Sequence, residues 1–221
     1  MLRVEALQVD IGATNILRDA RLAVAPGTMC GLIGRNGAGK TTFMRSVMGL
    51  LPARSGQVRI DGQDVGPVPA HRRAGLGIGY MPEDRRLVPD FTGEENILAT
   101  AWATGARDSA ERLRWIYGLM PEVAQFAQRR ASQLSGGQQK LAALARALMS
   151  GRKLLLLDEP FEGVAPALAR RLAEVLSDLK GEGLSILLAE SNERHVADLL
   201  DSIYSIERGS IGPAAKAAAK R

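Results

Sequence analysis

The chain has 221 residues, 46% of them hydrophobic, which is the size and apolar content of one α/β domain with a sizeable core. Lys and Arg total 29 against 24 Asp and Glu, a formal charge of +5 that suits phosphates, an acidic partner or an anionic surface; with no long basic run it reads first as solvated surface, and no nucleic-acid partner is expected. No run approaches the ~18 apolar residues of a membrane span, no secretion-signal pattern opens the sequence, and the lone Cys30 excludes an internal disulfide, so a soluble protein of a reducing compartment is expected, with Cys30 as buried filler.

In chain order, residues 2 to 33 read as strands, with alternation and Pro-Gly punctuation predicting antiparallel hairpins that lead into one buried strand. A helix is predicted from Lys40 to Leu50, a hairpin over 56–65 turning at Asp61-Gly62, and a short strand within 75–83. Residues 93–130 are alanine-rich, hold both tryptophans and lack a strand pattern; they read as a helical subdomain inserted into the α/β core. An amphipathic helix follows over 138–151, then a buried parallel strand in "KLLLLDEP" (153–160), whose leucines run without interruption. A helix over 166–181, a buried strand over 184–190, a helix over 192–201 and a hairpin in "SIYSIERGSI" complete the pattern. The domain division expected is a core of 1–92 and 153–212, a helical subdomain with the "LSGGQ" motif (134–138) over 93–152, and a flexible tail over 213–221.

Three motifs carry chemistry. "GRNGAGKTT" (Gly34, Arg35, Asn36, Gly37, Ala38, Gly39, Lys40, Thr41, Thr42) sits between a predicted strand and a predicted helix. Glycines let backbone N–H groups turn inward around anionic oxygens, and the helix N-terminus adds its dipole. Lys40 is expected at the β- and γ-phosphates and Thr41 at Mg²⁺. "LLLLDEP" supplies Asp158 for the metal shell and Glu159, one residue on, to polarise an attacking water. No guanine-reading Asn-Lys-x-Asp is present, which favours ATP over GTP. "LSGGQ" (Ser135, Gly136, Gly137, Gln138) at a helix start makes a second phosphate-binding surface. One chain has little use for two such surfaces, but in a head-to-tail dimer each can close on the other chain's γ-phosphate.

In this order the three motifs resemble those of ATP-binding cassette (ABC) ATPases, over nearly the whole chain. "YMPEDRRLVPDFTGEENIL" (80–98) and "DEPFEGVAP" (158–166) are similar to the ATPases of branched-chain amino acid importers, more narrowly to the second of that system's two ATPase subunits. The resemblance implies a P-loop ABC fold: a mainly parallel α/β core, an N-terminal antiparallel β-subdomain and an inserted helical subdomain. It also implies ATP and Mg²⁺ as ligands, and a second ATPase subunit as partner, in a heterodimer or a homodimer. Membrane permease subunits and, indirectly, a substrate-binding protein complete the implied assembly, with the chain peripheral on the cytoplasmic face of the membrane. Relatives of that subgroup carry urea, amides or aromatic acids.

Four positions depart from the general family pattern. Glu83 replaces a glutamine that meets Mg²⁺ and the membrane subunit; Ile11 stands for the aromatic that stacks on adenine; "FEGVAP" replaces a loop aspartate; and Ser191 stands where a histidine reaches the γ-phosphate. Serine can hydrogen-bond but cannot carry an imidazole's charge. The expectation is therefore an intact "LSGGQ" face serving the partner's pocket and a slow pocket of its own. His195 lies a turn into the next predicted helix and is expected to point elsewhere; His71 is expected in a solvated loop. Arg85, Arg86, Trp102 and Trp115 are candidates for a groove that receives a short helix of the membrane subunit. The competing readings are an ATP-binding regulatory subunit with little hydrolysis and a non-transport cassette of DNA repair or the ribosome.

Overall fold

The computed structural model describes residues 1–193, 196–213 and 215–216. Strands β1 (Leu2–Ile11) and β2 (Thr14–Val24) form an antiparallel hairpin. β4 (Ser55–Ile60) and β5 (Gln63–Asp64) extend it to a four-stranded sheet ordered β2-β1-β4-β5. The β4–β5 turn is Asp61-Gly62, with φ of +52° and +78°, the left-handed pair that an Asp-Gly hairpin turn favours.

The second sheet has seven strands. Its parallel centre is β9 (Ser202–Glu207), β3 (Met29–Ile33), β8 (Ser185–Glu190), β7 (Leu154–Asp158) and β6 (Ile78–Met81), in that order. β10 (Ser210–Ile211) and β11 (Ala215–Lys216) pair antiparallel with β9. Every residue of β7 and of β8 is buried, because helices and the antiparallel sheet cover both faces. The alternation along β7 divides the core. Leu155 and Leu157 face a cluster with Ile97, Ile116, Leu144 and Leu172 on the helical side. Leu154 and Leu156 face Val4, Val9, Leu22 and Phe43 on the antiparallel-sheet side.

The helices are α1 (Lys40–Val47), α2 (Ala70–Arg73), α3 (Gly93–Thr104), α4 (Ser109–Leu119), α5 (Pro121–Gln125), α6 (Gly136–Ser150) and α7 (Pro166–Gly181). Capping boxes start α3 (Thr92 with Glu95) and α6 (Ser135 with Gln138), each satisfying donors that a helix start leaves open. α6 lies directly on the sheet edge: a Cβ on Gly79 of β6 would come within 2.1 Å of the Ala147 carbonyl oxygen.

The expected strands and long helices are found, with differences at the ends. No helix forms over the described part of 192–201. The chain turns there through bonds from the Val196 and Ala197 amides to Glu193 O and from the Leu199 and Leu200 amides to Val196 O. Two apolar positions, Val196 and Leu200, are buried without a sustained helical stripe. Arg194 and His195 lie outside the described residues. Within the expected tail, Ala215 and Lys216 pair with Ile203 and Ser202 and extend the covered edge of β9, while residues 214 and 217–221 lie outside the described residues. The segment before β6 holds α2, on which His71 is exposed.

Candidate active site

Three parallel strands deliver the site. β8 lies between β3 and β7, so the loops that leave their carboxyl ends converge. The glycine loop leaves β3, Asp158 ends β7, and Ser191 follows β8. Backbone bonds tie the three ends together: Gly34 N–H donates to Glu190 O (3.1 Å) and Glu159 N–H to Ala189 O (2.9 Å).

Glycine is required in the loop for two different reasons. At Gly34 a Cβ would fall 2.3 Å from Ile206 O, so the backbone of β9 forbids a side chain. Gly37 and Gly39 have φ of +79° and +112°, and a Cβ on Gly37 would meet open space, the side from which a phosphate can approach. Arg35, Asn36 and Gly37 are exposed, Ala38 is buried, and Thr41 and Thr42 are half-buried in the first turn of α1.

Lys40 is buried, and its three donors are engaged: Nζ lies 2.5 Å from Gly34 O, 3.2 Å from Arg35 O and 2.9 Å from Glu159 Oε1. Reaching a β- or γ-phosphate requires it to exchange some of these for phosphate oxygens. Glu159 is itself buried and holds φ at +50°, a left-handed conformation uncommon outside glycine and asparagine.

Ser191 Oγ lies 2.8 Å from Glu159 Oε2 and 2.8 Å from Asn36 Oδ1. A hydroxyl has one proton to give. The carboxylate takes it, and turning the Asn36 amide over lets its NH₂ donate to Ser191 Oγ. The sequence places Ser191 at the switch position; it does not reveal that the serine bonds to Glu159.

Asp158 is fully buried, and its Oδ1 has no hydrogen-bond partner. The Thr41 side chain lies by the same carboxylate and favours its charged form, and Tyr80 Oη lies 3.4 Å from Oδ2. Burial, with the Glu83 and Glu159 charges, pushes its pKa up to about 6. Glu83 is raised as well, by burial first and then by Glu162, Glu159 and Asp84. An orphaned carboxylate oxygen, a hydroxyl and a second acid make a hard oxygen set that fits Mg²⁺, whose charge reverses these shifts when bound.

Ser135 and Gly136 are exposed at the start of α6, and Gly137 and Gln138 are half-buried. The Ser135 hydroxyl accepts from Gln138 N–H (3.3 Å), leaving a helix N-terminus that faces outward. Ile11 ends β1 at 49% exposure, an apolar face open to a ring. It belongs to the hairpin whose second strand sets Leu17 against Gly39.

A groove of about 440 Å³ opens beside Glu83, lined among others by Arg45, Tyr80, Arg86, Thr100 and Arg146. Of the four residues expected there, Arg86 lines it. Arg85 turns to α6, donating to Gln139 Oε1 at 2.9 Å. Trp102 is 57% exposed and packs edge-on against Phe91 with ring centres 6.4 Å apart. Trp115 lies under the Arg112 guanidinium at 3.7 Å, beside α7 residues Ser177 and Asp178. The Glu83 loop is held by Arg146 of α6, which donates to the carbonyls of Arg85 and Arg86. Nothing in the local sequence signals that link.

Known proteins fall in line with this geometry. The family model described as ABC transporter matches residues 17–162, which span the glycine loop, the Ser-Gly-Gly helix and Asp158-Glu159. The chain is 34% identical over 211 residues to the high-affinity branched-chain amino acid transport ATP-binding protein BraG of Pseudomonas aeruginosa, covering 96% of this chain and 91% of that one. It is 32% identical over 213 residues to the lipopolysaccharide export system ATP-binding protein LptB of Haemophilus influenzae, covering 96% and 88%. A solved ATP-binding cassette of an ABC transporter in its ADP conformation is 27% identical with a TM-score of 0.85, over 98% of this chain and 91% of that one. The chain therefore belongs to the ABC transporter family, as an ATP-binding cassette that hydrolyses ATP in the service of transport.

Proposed function

We propose that this cassette drives uptake of branched-chain amino acids or related small solutes through a membrane permease, as one of two unlike ATPase subunits. The observation that carries the unlike pairing is Ser191 bonded to Glu159. The switch side chain touches the candidate base but brings it no imidazole charge. In this reading Gly34 to Thr42 cradle the phosphates, Lys40 spans the β- and γ-phosphates, and Ile11 covers the adenine. Thr41, Asp158 and Glu83 would hold Mg²⁺, which when bound would supply charge to neutralise the phosphate oxygens. Glu159 polarises the attacking water. Ser135, Gly136, Gly137 and Gln138 close on the γ-phosphate of the partner cassette, whose pocket fires faster than this chain's own.

In this reading the chain acts on the cytoplasmic face of the membrane through its permease; no helix among the described residues is long and apolar enough to cross a membrane. A substrate-binding protein delivers the solute from the other side. The amino acid class rests on the likeness to BraG. Export is the second reading, favoured by the near-equal likeness to LptB. Deleting the gene and measuring uptake of labelled leucine, urea and short amides separates the two. Import predicts lost uptake of one of these solutes with an intact envelope; export predicts intact uptake and an envelope defect.

A further inference from the structure

α6 contains a lysine where its pattern calls for an apolar residue. Lys140 is 4% exposed and opens an unbroken buried run through Ala145. A lysine that deep is strongly destabilising unless its donors are met. They are met by the main chain around the candidate base: Nζ donates to Glu159 O at 3.0 Å and to Glu162 O at 2.7 Å. Burial holds its pKa below the usual lysine range, with Arg85 adding to that and the Glu190, Glu162 and Glu159 carboxylates opposing it.

Glu159 needs such a hold. A left-handed conformation is unfavourable for a residue other than glycine, and it persists when neighbours over-determine it. Here the Glu159 amide is pinned to Ala189 O, and its carbonyl accepts from both Glu162 N–H (3.2 Å) and Lys140. Glu190 braces the same bend from β8, its Oε1 accepting from Phe161 N–H at 2.9 Å.

We propose that Lys140 is a positioning residue for Glu159: it fixes the bend that aims the carboxylate, and it fastens that bend to the helix that begins at Ser135. Because α6 carries both Lys140 and the Ser135–Gln138 surface, closure on the partner's nucleotide pulls on this chain's own base. This rests on the reading of Glu159 as the base, and it adds a residue that none of the motifs contains.

The test uses the full chain and single-turnover hydrolysis of labelled ATP, which reads slow rates. Lys140→Met is expected to lower the rate about tenfold or more, to leave ATP affinity within about twofold, and to speed hydrogen exchange at the Phe161 and Glu162 amides. Lys140→Arg restores most of the rate. Lys140→Gln keeps a donor without the charge and gives the same split between rate and affinity if the methionine variant does not fold. A Lys140→Met chain that hydrolyses ATP at the wild-type rate, beside an inactive Glu159→Gln control, overturns the proposal. Wild-type hydrolysis by Glu159→Gln overturns the reading of Glu159 as base.

Discussion

Ser191 Oγ sits 2.8 Å from Glu159 Oε2, while Lys40 Nζ sits 2.9 Å from the other oxygen of the same carboxylate. One oxygen is held by a cation that phosphate competes for, the other by a neutral hydroxyl. When Lys40 turns to phosphate, the Ser191 hydroxyl keeps its hold on that carboxylate. Removing it by Ser191→Ala is expected to lower the hydrolysis rate about tenfold, on the scale of one hydrogen bond to a charged group. ATP affinity, measured by titration, stays within about twofold.

Asp158 gives a metal-specific prediction. Its unpartnered Oδ1 and its contact with Thr41 fit a cation better than they fit the carboxylate alone. Asp158→Asn is expected to abolish the strengthening of ATP binding by Mg²⁺ while leaving metal-free ATP binding in place. Titrations with Mg²⁺ and with EDTA check this; an undiminished Mg²⁺ effect contradicts it.

Glu190 predicts a pH dependence of stability. Burial is the main cause lifting its pKa from 4.5 to about 7, with Glu159 and Glu162 adding to it and Lys140 and the Phe161 amide opposing it. A raised acid binds its proton more tightly in the folded chain than in the unfolded one. Its stabilising contribution is therefore fully present below about pH 4.5 and is lost as the pH rises through about 7. Glu190→Gln keeps the acceptor for Phe161 N–H and is expected to flatten that slope, leaving the variant about 1–3 kcal/mol more stable than wild type at pH 8. Denaturant melts across this range measure it.

The fold was legible where the signal was strong and local. A leucine run with no polar interruption marked β7, Asp61-Gly62 marked a hairpin, and the glycine-loop and Asp-Glu-Pro motifs marked the loops at the ends of β3 and β7. What escaped is what tertiary structure alone creates. No local pattern hints that Arg85 and Trp115 turn away from the groove: Arg85 sits in the loop after β6 and Trp115 on α4, and the facing of each depends on neighbours that its own segment does not name. The turns after Ser191 replace a predicted helix because Val196 and Leu200 bury individually. Lys140 had a signal, a charge inside the apolar stripe of α6, that could have been noticed; its partners are carbonyls 19 and 22 residues away, which no local pattern names.

The seat of α6 on the sheet predicts a large stability effect far from the chemistry. Gly79→Ala would set a Cβ 2.1 Å from Ala147 O and 2.9 Å from Gly151 Cα, both of them backbone atoms that cannot rotate away. A loss of about 2–4 kcal/mol is expected, in the range of severe overpacking, read as a lower unfolding midpoint. A neutral substitution there contradicts the packing described.

The central claim is that this chain's own pocket is slow because a serine stands at the switch. The measurement that tests it most directly is Mg-ATP hydrolysis by the chain and by Ser191→His, with Glu159→Gln as the inactive control and ATP binding measured in parallel. The account predicts tight binding with slow turnover for the wild type, and at least about a tenfold faster rate for the histidine variant, on the scale of one group that stabilises developing charge. A wild-type chain that already turns over as fast as Ser191→His, and stops with Glu159→Gln, contradicts it.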